Sequence, residues 1–187
     1  IILGQTYSYG AGSGDIWVLK ISDSGILLWD KTYGNENLDL GVDICASNDD
    51  GYMIVGTTHS KKTNSLDAYV IKIDSVGNII WDQVYGGLLE DGLNSISKIN
   101  DEYGYMLFGY TKSYMLDKSR KKMKGFLGRI LSSVFKKEAS SESWLINIDE
   151  YGDKNWHTTY GGKKDDAGKQ INSFSDGSFL LSNETES

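Results

Sequence analysis

Three aspartates recur at a fixed distance from three tryptophans, and carboxylates so spaced could hold a cation. Asp39, Asp91 and Asp166 each lie ten residues after Trp29, Trp81 and Trp156. Gathered around one channel mouth they would present a ring of the oxygen ligands that Ca²⁺ takes. The competing expectation is structural: an aspartate that opens a strand caps the backbone N–H groups of the turn before it. A side chain repeated in every unit is what a folding element requires, whereas a single site requires asymmetry. Turn capping is therefore expected, and no metal ligand is assigned. Asp23-Ser24-Gly25, Asp74-Ser75-Val76-Gly77 and Asp149-Glu150-Tyr151-Gly152 read as turn chemistry too, since none has the spacing and closing glutamate of a calcium loop.

Other reactive side chains are sparse. His59 and His157 are the only histidines, and no Ser-His-Asp or His-Glu pairing follows from their local spacing. His157 follows Trp156 directly, where the other two copies have Asp30 and Asp82. Cys45, the one cysteine, excludes an internal disulfide and a thiol metal cluster, and its setting in Val42-Asp43-Ile44-Cys45-Ala46 predicts an inert core thiol. Gly10-Ala11-Gly12-Ser13-Gly14 lacks the Lys-Ser/Thr ending and following helix of a phosphate loop and is expected to be a flexible hairpin loop. No catalytic residue, cofactor or metal is assigned, and the chain is not expected to be an enzyme.

The elements that carry these residues repeat. Trp29-Asp30-Lys31-Thr32-Tyr33 returns at Trp81–Tyr85 and again at Trp156–Tyr160, with 52 residues between the first two tryptophans and 75 between the second and third. The excess of 23 residues is one insertion. Within a period, polar and apolar residues alternate through Tyr69, Ile71 and Ile73 and through Ile79 and Trp81, the period of half-buried strands. Asp50-Gly51, Gly77-Asn78 and Asp176-Gly177 are turn dipeptides. Four short strands in roughly 50 residues, repeated, predict four-stranded β-propeller blades in an all-β fold, with Trp29, Trp81 and Trp156 as wedges between blades. Ile1–Ser8 matches Met53–Ser60, and Phe179–Glu186 reads as the next copy. Residues 1–187 are thus one repeat domain of about three blade equivalents. It starts and ends within a blade, as an excerpt of a longer protein would, and further blades or another copy of the chain are expected partners.

The stretch from Asp67 to Gly87, preceded by Gly51-Tyr52-Met53-Ile54-Val55-Gly56-Thr57-Thr58, resembles the propeller-type repeats of prokaryotic secreted and cell-surface proteins. Ile73–Trp81 is also similar to repeats of quinoprotein dehydrogenases. The resemblance covers nearly the whole chain outside the insertion. It implies an extracellular or cell-surface scaffold. The alternative it implies is the propeller portion of a quinoprotein-like enzyme or a hydrolase with its active residues elsewhere, since no cofactor-binding set is recognisable here.

The insertion, residues 117–138, has a different chemistry. Met123, Phe126, Leu127, Ile130, Leu131, Val134 and Phe135 fall on one face of a helix. Lys118, Arg120, Lys121, Lys122, Lys124, Arg129, Lys136 and Lys137 supply eight positive charges against Asp117 and Glu138. The segment carries +6 in a chain of net charge −7, leaving the remainder at −13. An acidic body argues against nucleic acid as partner. A basic amphipathic helix fits an anionic membrane surface, a partner protein, or the acidic body itself. No stretch reaches the ~18 apolar residues of a membrane span. The expected role is a non-catalytic binding scaffold with this insertion as its interaction element.

Overall fold

The computed structural model describes residues 1–61, 63–99, 104–114 and 140–186. Among the described residues the chain is all-β, with its strands in four antiparallel sheets. The first sheet holds β1 (Ile2–Thr6), β2 (Asp15–Ile21) and β3 (Leu27–Tyr33). The second holds β4 (Asp39–Ala46), β5 (Tyr52–Ser60), β6 (Ser65–Ile73) and β7 (Ile79–Tyr85), and the third β8 (Asp91–Lys98), β9 (Gly104–Thr111), β10 (Glu142–Asp149) and β11 (Lys154–Tyr160). The last pairs β12 (Asp166–Ser173) with β13 (Phe179–Thr185). Every sheet is a meander in which sequence neighbours are spatial neighbours.

The sheets stack face to face in chain order. β4 packs on β1 and β2, β8 on β4, β5 and β6, and β12 on β8, β9 and β10. Three apolar layers lie between them. Ile16, Val18 and Tyr33 of the first sheet meet Ile54, Ile71 and Ile73 of the second. Met53, Val55, Ala68 and Val70 of the second meet Leu93, Tyr105, Leu107 and Ile146 of the third. Phe108 and Leu145 of the third meet Ile171, Phe179 and Leu181 of the last. The run Met53-Ile54-Val55 is unbroken because a strand buried on both faces needs apolar residues at consecutive positions, which feed alternate layers.

Two registers depart from the sequence alignment. Thr185 lies opposite Asp166 as Thr58 lies opposite Asp39, so Phe179 is the equivalent of Tyr52 and not of Met53. The first strand of each unit, β4, β8 and β12, carries a bulge, at Gly41/Asp43, Leu93/Ser95 and Gly168/Gln170. In the turns, Ser22 stands where Asp74 and Asp149 stand, and accepts the Ile26 N–H at 3.1 Å; Asp23 is one place too late.

Candidate functional site

Each of the three recurring aspartates opens the first strand of a sheet and receives the N–H of the turn behind it. Asn35 N–H reaches Asp39 Oδ2 at 2.7 Å, Gly87 N–H reaches Asp91 Oδ2 at 2.8 Å, and Gly162 N–H reaches Asp166 Oδ2 at 2.7 Å. Hydroxyls complete the set around Asp91, with Ser113 donating at 2.7 Å and Thr111 donating to the other oxygen. This is the capping role. The carboxylates do not converge: among the described residues no group of three or more potential ligands gathers. Loop residues 10–14 follow the same economy, with Ala11 and Gly12 donating their N–H groups to Asp15 at 3.3 and 3.1 Å. Those donors face a carboxylate of the chain itself.

A second carboxylate approaches from the preceding sheet. A Cβ placed on Gly86 would lie 2.7 Å from Asp91 Oδ2 and 2.9 Å from Asp67 Oδ1, and one on Gly34 would lie 2.7 Å from both Asp15 Oδ1 and Asp39 Oδ2. Glycine after the repeat tyrosine is thus required by space, and by φ angles of 149° and 150°. Asp67 and Asp91 are 3% and 0% exposed, and among the described residues no group donates a hydrogen bond to Asp67 Oδ1. Burial holds Asp67 above the usual carboxylate range and the neighbouring Asp91 adds to it; burial likewise raises Asp91. At Asp166, hydrogen bonds from Thr185 and the Gly162 N–H hold the carboxyl below the usual range.

The tryptophan–tyrosine pairs act between sheets. Trp29 Nε1–H donates to the Ser75 carbonyl at 3.3 Å and Tyr33 O–H to the Gly77 carbonyl at 2.8 Å. Trp81 and Tyr85 do the same one sheet later, at Glu150 (3.1 Å) and Gly152 (2.5 Å). Each pair clasps the turn that joins the last two strands of the next sheet. Gly77 and Gly152, at φ of 83° and 87°, adopt the left-handed conformation that presents those carbonyls. Burial pushes the Tyr33 hydroxyl up to about 12 and raises that of Tyr85, so both remain donors at physiological pH. Trp156, the third expected wedge, is 47% exposed and meets no such turn.

Asymmetry appears in the third sheet. Trp17 and Tyr69 donate to Asp30 and Asp82 across their hairpins, at 3.1 and 3.0 Å. In the third copy Trp144 Nε1–H donates to His157 Nδ1 at 2.9 Å. That bond places the proton of a neutral His157 on Nε2, because Nδ1 must supply the lone pair. Tyr114 meets the imidazole edge-on at 5.6 Å. The two rings border a cleft of about 470 Å³ between the second and third sheets, walled also by Gln83, Ser113, Asp153 and Lys154. The volume suits a small ligand. His157 stood out in the sequence as a departure from aspartate. Tyr114 and Trp144 did not, since their convergence needs the pairing of β10 with β11 and the packing of the loop after β9.

His59 sits near the end of β5, opposite Leu66 and away from this cleft. Cys45 is half-buried on the core between the second and third sheets, where burial and the nearby Asp43 push its thiol up to about 12. It is a protonated, unreactive thiol. Among the expected interaction residues, Lys121 to Lys137 lie outside the described residues, as does the helical expectation for 117–138. Their place in the chain is set by the strands around them: they connect β9 to β10, whose register begins at Thr111 opposite Glu142. Tyr114, at the rim of the cleft, is the last described residue before them. No family model matches the chain, and no curated protein matches it.

Proposed function

We propose that the chain is a non-catalytic binding scaffold of β-propeller type, from a surface or secreted protein, with the basic insertion at 117–138 as its interaction element. The observation that carries this reading is the coincidence of two asymmetries. The insertion departs from the repeat between β9 and β10, in the same sheet whose β11 replaces the repeat's aspartate with His157 and borders the cleft. The remaining recurrent polar residues support a scaffold role, because their hydrogen bonds go to turns and to neighbouring sheets. The propeller reading rests on sheets that follow one another face to face, with the first strand of one packed on that of the next.

Of the three surfaces that the insertion fits, an anionic membrane makes the sharpest test. An apolar stripe flanked by eight lysines and arginines combines burial in the acyl boundary with attraction to acidic headgroups. The full chain and a variant lacking 117–138 are floated with vesicles of phosphatidylcholine alone or with phosphatidylserine. The expected result is flotation of the full chain with the acidic vesicles only, abolished by the deletion and by high salt. Flotation that survives the deletion would overturn the assignment of the insertion. Absence of flotation by the full chain would overturn the membrane as its target and leave the protein partner or the acidic body itself.

A further inference from the structure

The junction between the second and third sheets lacks a rung that the junction before it has. From β3, Trp29 and Tyr33 hold the carbonyls of Ser75 and Gly77, and between them the Lys31 ammonium donates to Asn78 Oδ1 at 2.8 Å. One sheet later Trp81 and Tyr85 hold the carbonyls of Glu150 and Gly152. Gln83 and Asp153 stand there in the places of Lys31 and Asn78. Alternation along β7 turns Gln83 to the same side as Trp81 and Tyr85. Yet among the described residues neither the Gln83 amide nor the Asp153 carboxylate has a hydrogen-bond partner. They line the cleft of about 470 Å³ from its two sheets without meeting. The first junction is bolted and the second is open.

The deeper polar groups of this cleft are already engaged. Thr111 and Ser113 give their hydroxyls to Asp91, and Trp144 donates to His157 Nδ1. The groups left for a ligand are on the exposed side: the Gln83 amide, which donates and accepts, the Asp153 carboxylate, which accepts, and the Lys154 ammonium, which donates. One negative and one positive charge balance, so neither an anion nor a cation is favoured over the other. Both charges face water, where ion pairing contributes little, so recognition falls to hydrogen bonds and contact area. Tyr114, half-buried at the rim, adds an aromatic surface for the C–H groups of a ring. We propose that the cleft binds a neutral sugar, one pyranose unit of a glycan, which takes the place of the missing rung. Its hydroxyls, each donor and acceptor, bridge Gln83 to Asp153 and accept from Lys154, and its C–H face lies on Tyr114. The site is additional to whatever 117–138 engages and does not depend on it.

Saturation-transfer NMR of the full chain with the methyl glycosides of glucose, galactose, mannose and N-acetylglucosamine tests this, each binder then being titrated. At least one glycoside is expected to bind with a Kd of about 1 mM or tighter. Gln83→Lys combined with Asp153→Asn installs the rung of the first junction and is expected to close the cleft. The sugar should then bind about tenfold or more weakly, with an unchanged circular dichroism spectrum and a melting temperature no lower than that of the native chain. Gln83→Ala and Asp153→Ala, at exposed positions that the fold does not use, are each expected to weaken binding by about fivefold, and they carry the test if the double variant does not fold. Glycine and inorganic phosphate are expected not to displace the sugar. Failure of all four glycosides to bind the full chain would overturn the proposal. So would binding that ignores these variants, or displacement by glycine or by phosphate, which would make the cleft a site for charged ligands.

Discussion

At the residue scale, what separates Trp81 from Trp156 is position and not chemistry. Both are in the same strand of a repeat, but only Trp81 has a turn to clasp. Trp81→Ala is expected to destabilise the protein by about 3 kcal/mol in urea denaturation, and Trp156→Ala by less than about 1 kcal/mol, because one deletes packed surface and the other an exposed ring. Tyr85→Phe should cost about 1 kcal/mol for the hydrogen bond to the Gly152 carbonyl. Asp67 adds a pH effect. Its carboxyl is held above the usual range when folded, so its contribution to stability is fully present below the unfolded pKa and is lost as the pH rises through the folded one. Asp67→Asn keeps an acceptor for Thr63, which donates at 2.9 Å, and removes the charge beside Asp91. The variant is expected to melt roughly 3 °C above the native chain at pH 7 and at nearly the same temperature at pH 4, as read by differential scanning calorimetry.

At the element scale, turns of one design serve different neighbours. The glycines at 25 and 152 have nearly the same φ, so alanine strains both backbones alike. Only at 152 does the added methyl also press on an indole, Trp81, at 3.0 Å. Gly152→Ala should therefore be the more destabilising of the two by about 1 kcal/mol in parallel denaturant melts, and the difference measures the clasp without the backbone term. Much of this level was legible in the sequence. Alternation and turn dipeptides marked the strands, and the tryptophan repeat marked the period. What escaped was register. The expected match of Phe179 to Met53 fails by one residue because alignment of apolar types cannot see which threonine faces Asp166. The sequence offers Asp23 as the turn residue because it is an aspartate, while the pairing of β2 with β3 gives that place to Ser22.

At the scale of the molecule, four sheets in sequence bury three apolar layers, and the inner two sheets are covered on both faces. The order is local: among the described residues, every strand pairs only with its neighbours in the chain. The interactions between sheets, by contrast, join residues separated by about one repeat, as in the bonds from Tyr33 O–H to the Gly77 carbonyl and from the Ser95 hydroxyl and Ile96 N–H to the Asp43 carboxylate. The repeat length is thus the distance over which the fold is tied together. Interruption by the insertion between β9 and β10 leaves this pattern intact, since the two strands pair without a register shift from Thr111–Glu142 to Gly104–Asp149.

The sequence by itself determined the strand period, the repeated unit and the all-β class, because alternation along a strand and left-handed glycines in turns are local consequences of backbone geometry. It also determined that the aspartates, present in every unit, suit a folding role. The tertiary structure alone decided what each repeated side chain touches. That depends on which sheet stands opposite, so identical residues became a buried clasp at 81–85 and an open one at 156–160. It likewise decided that His157, Trp144 and Tyr114 share one cleft, since residues 13 and 43 places from His157 in the chain meet there only after pairing and stacking are complete.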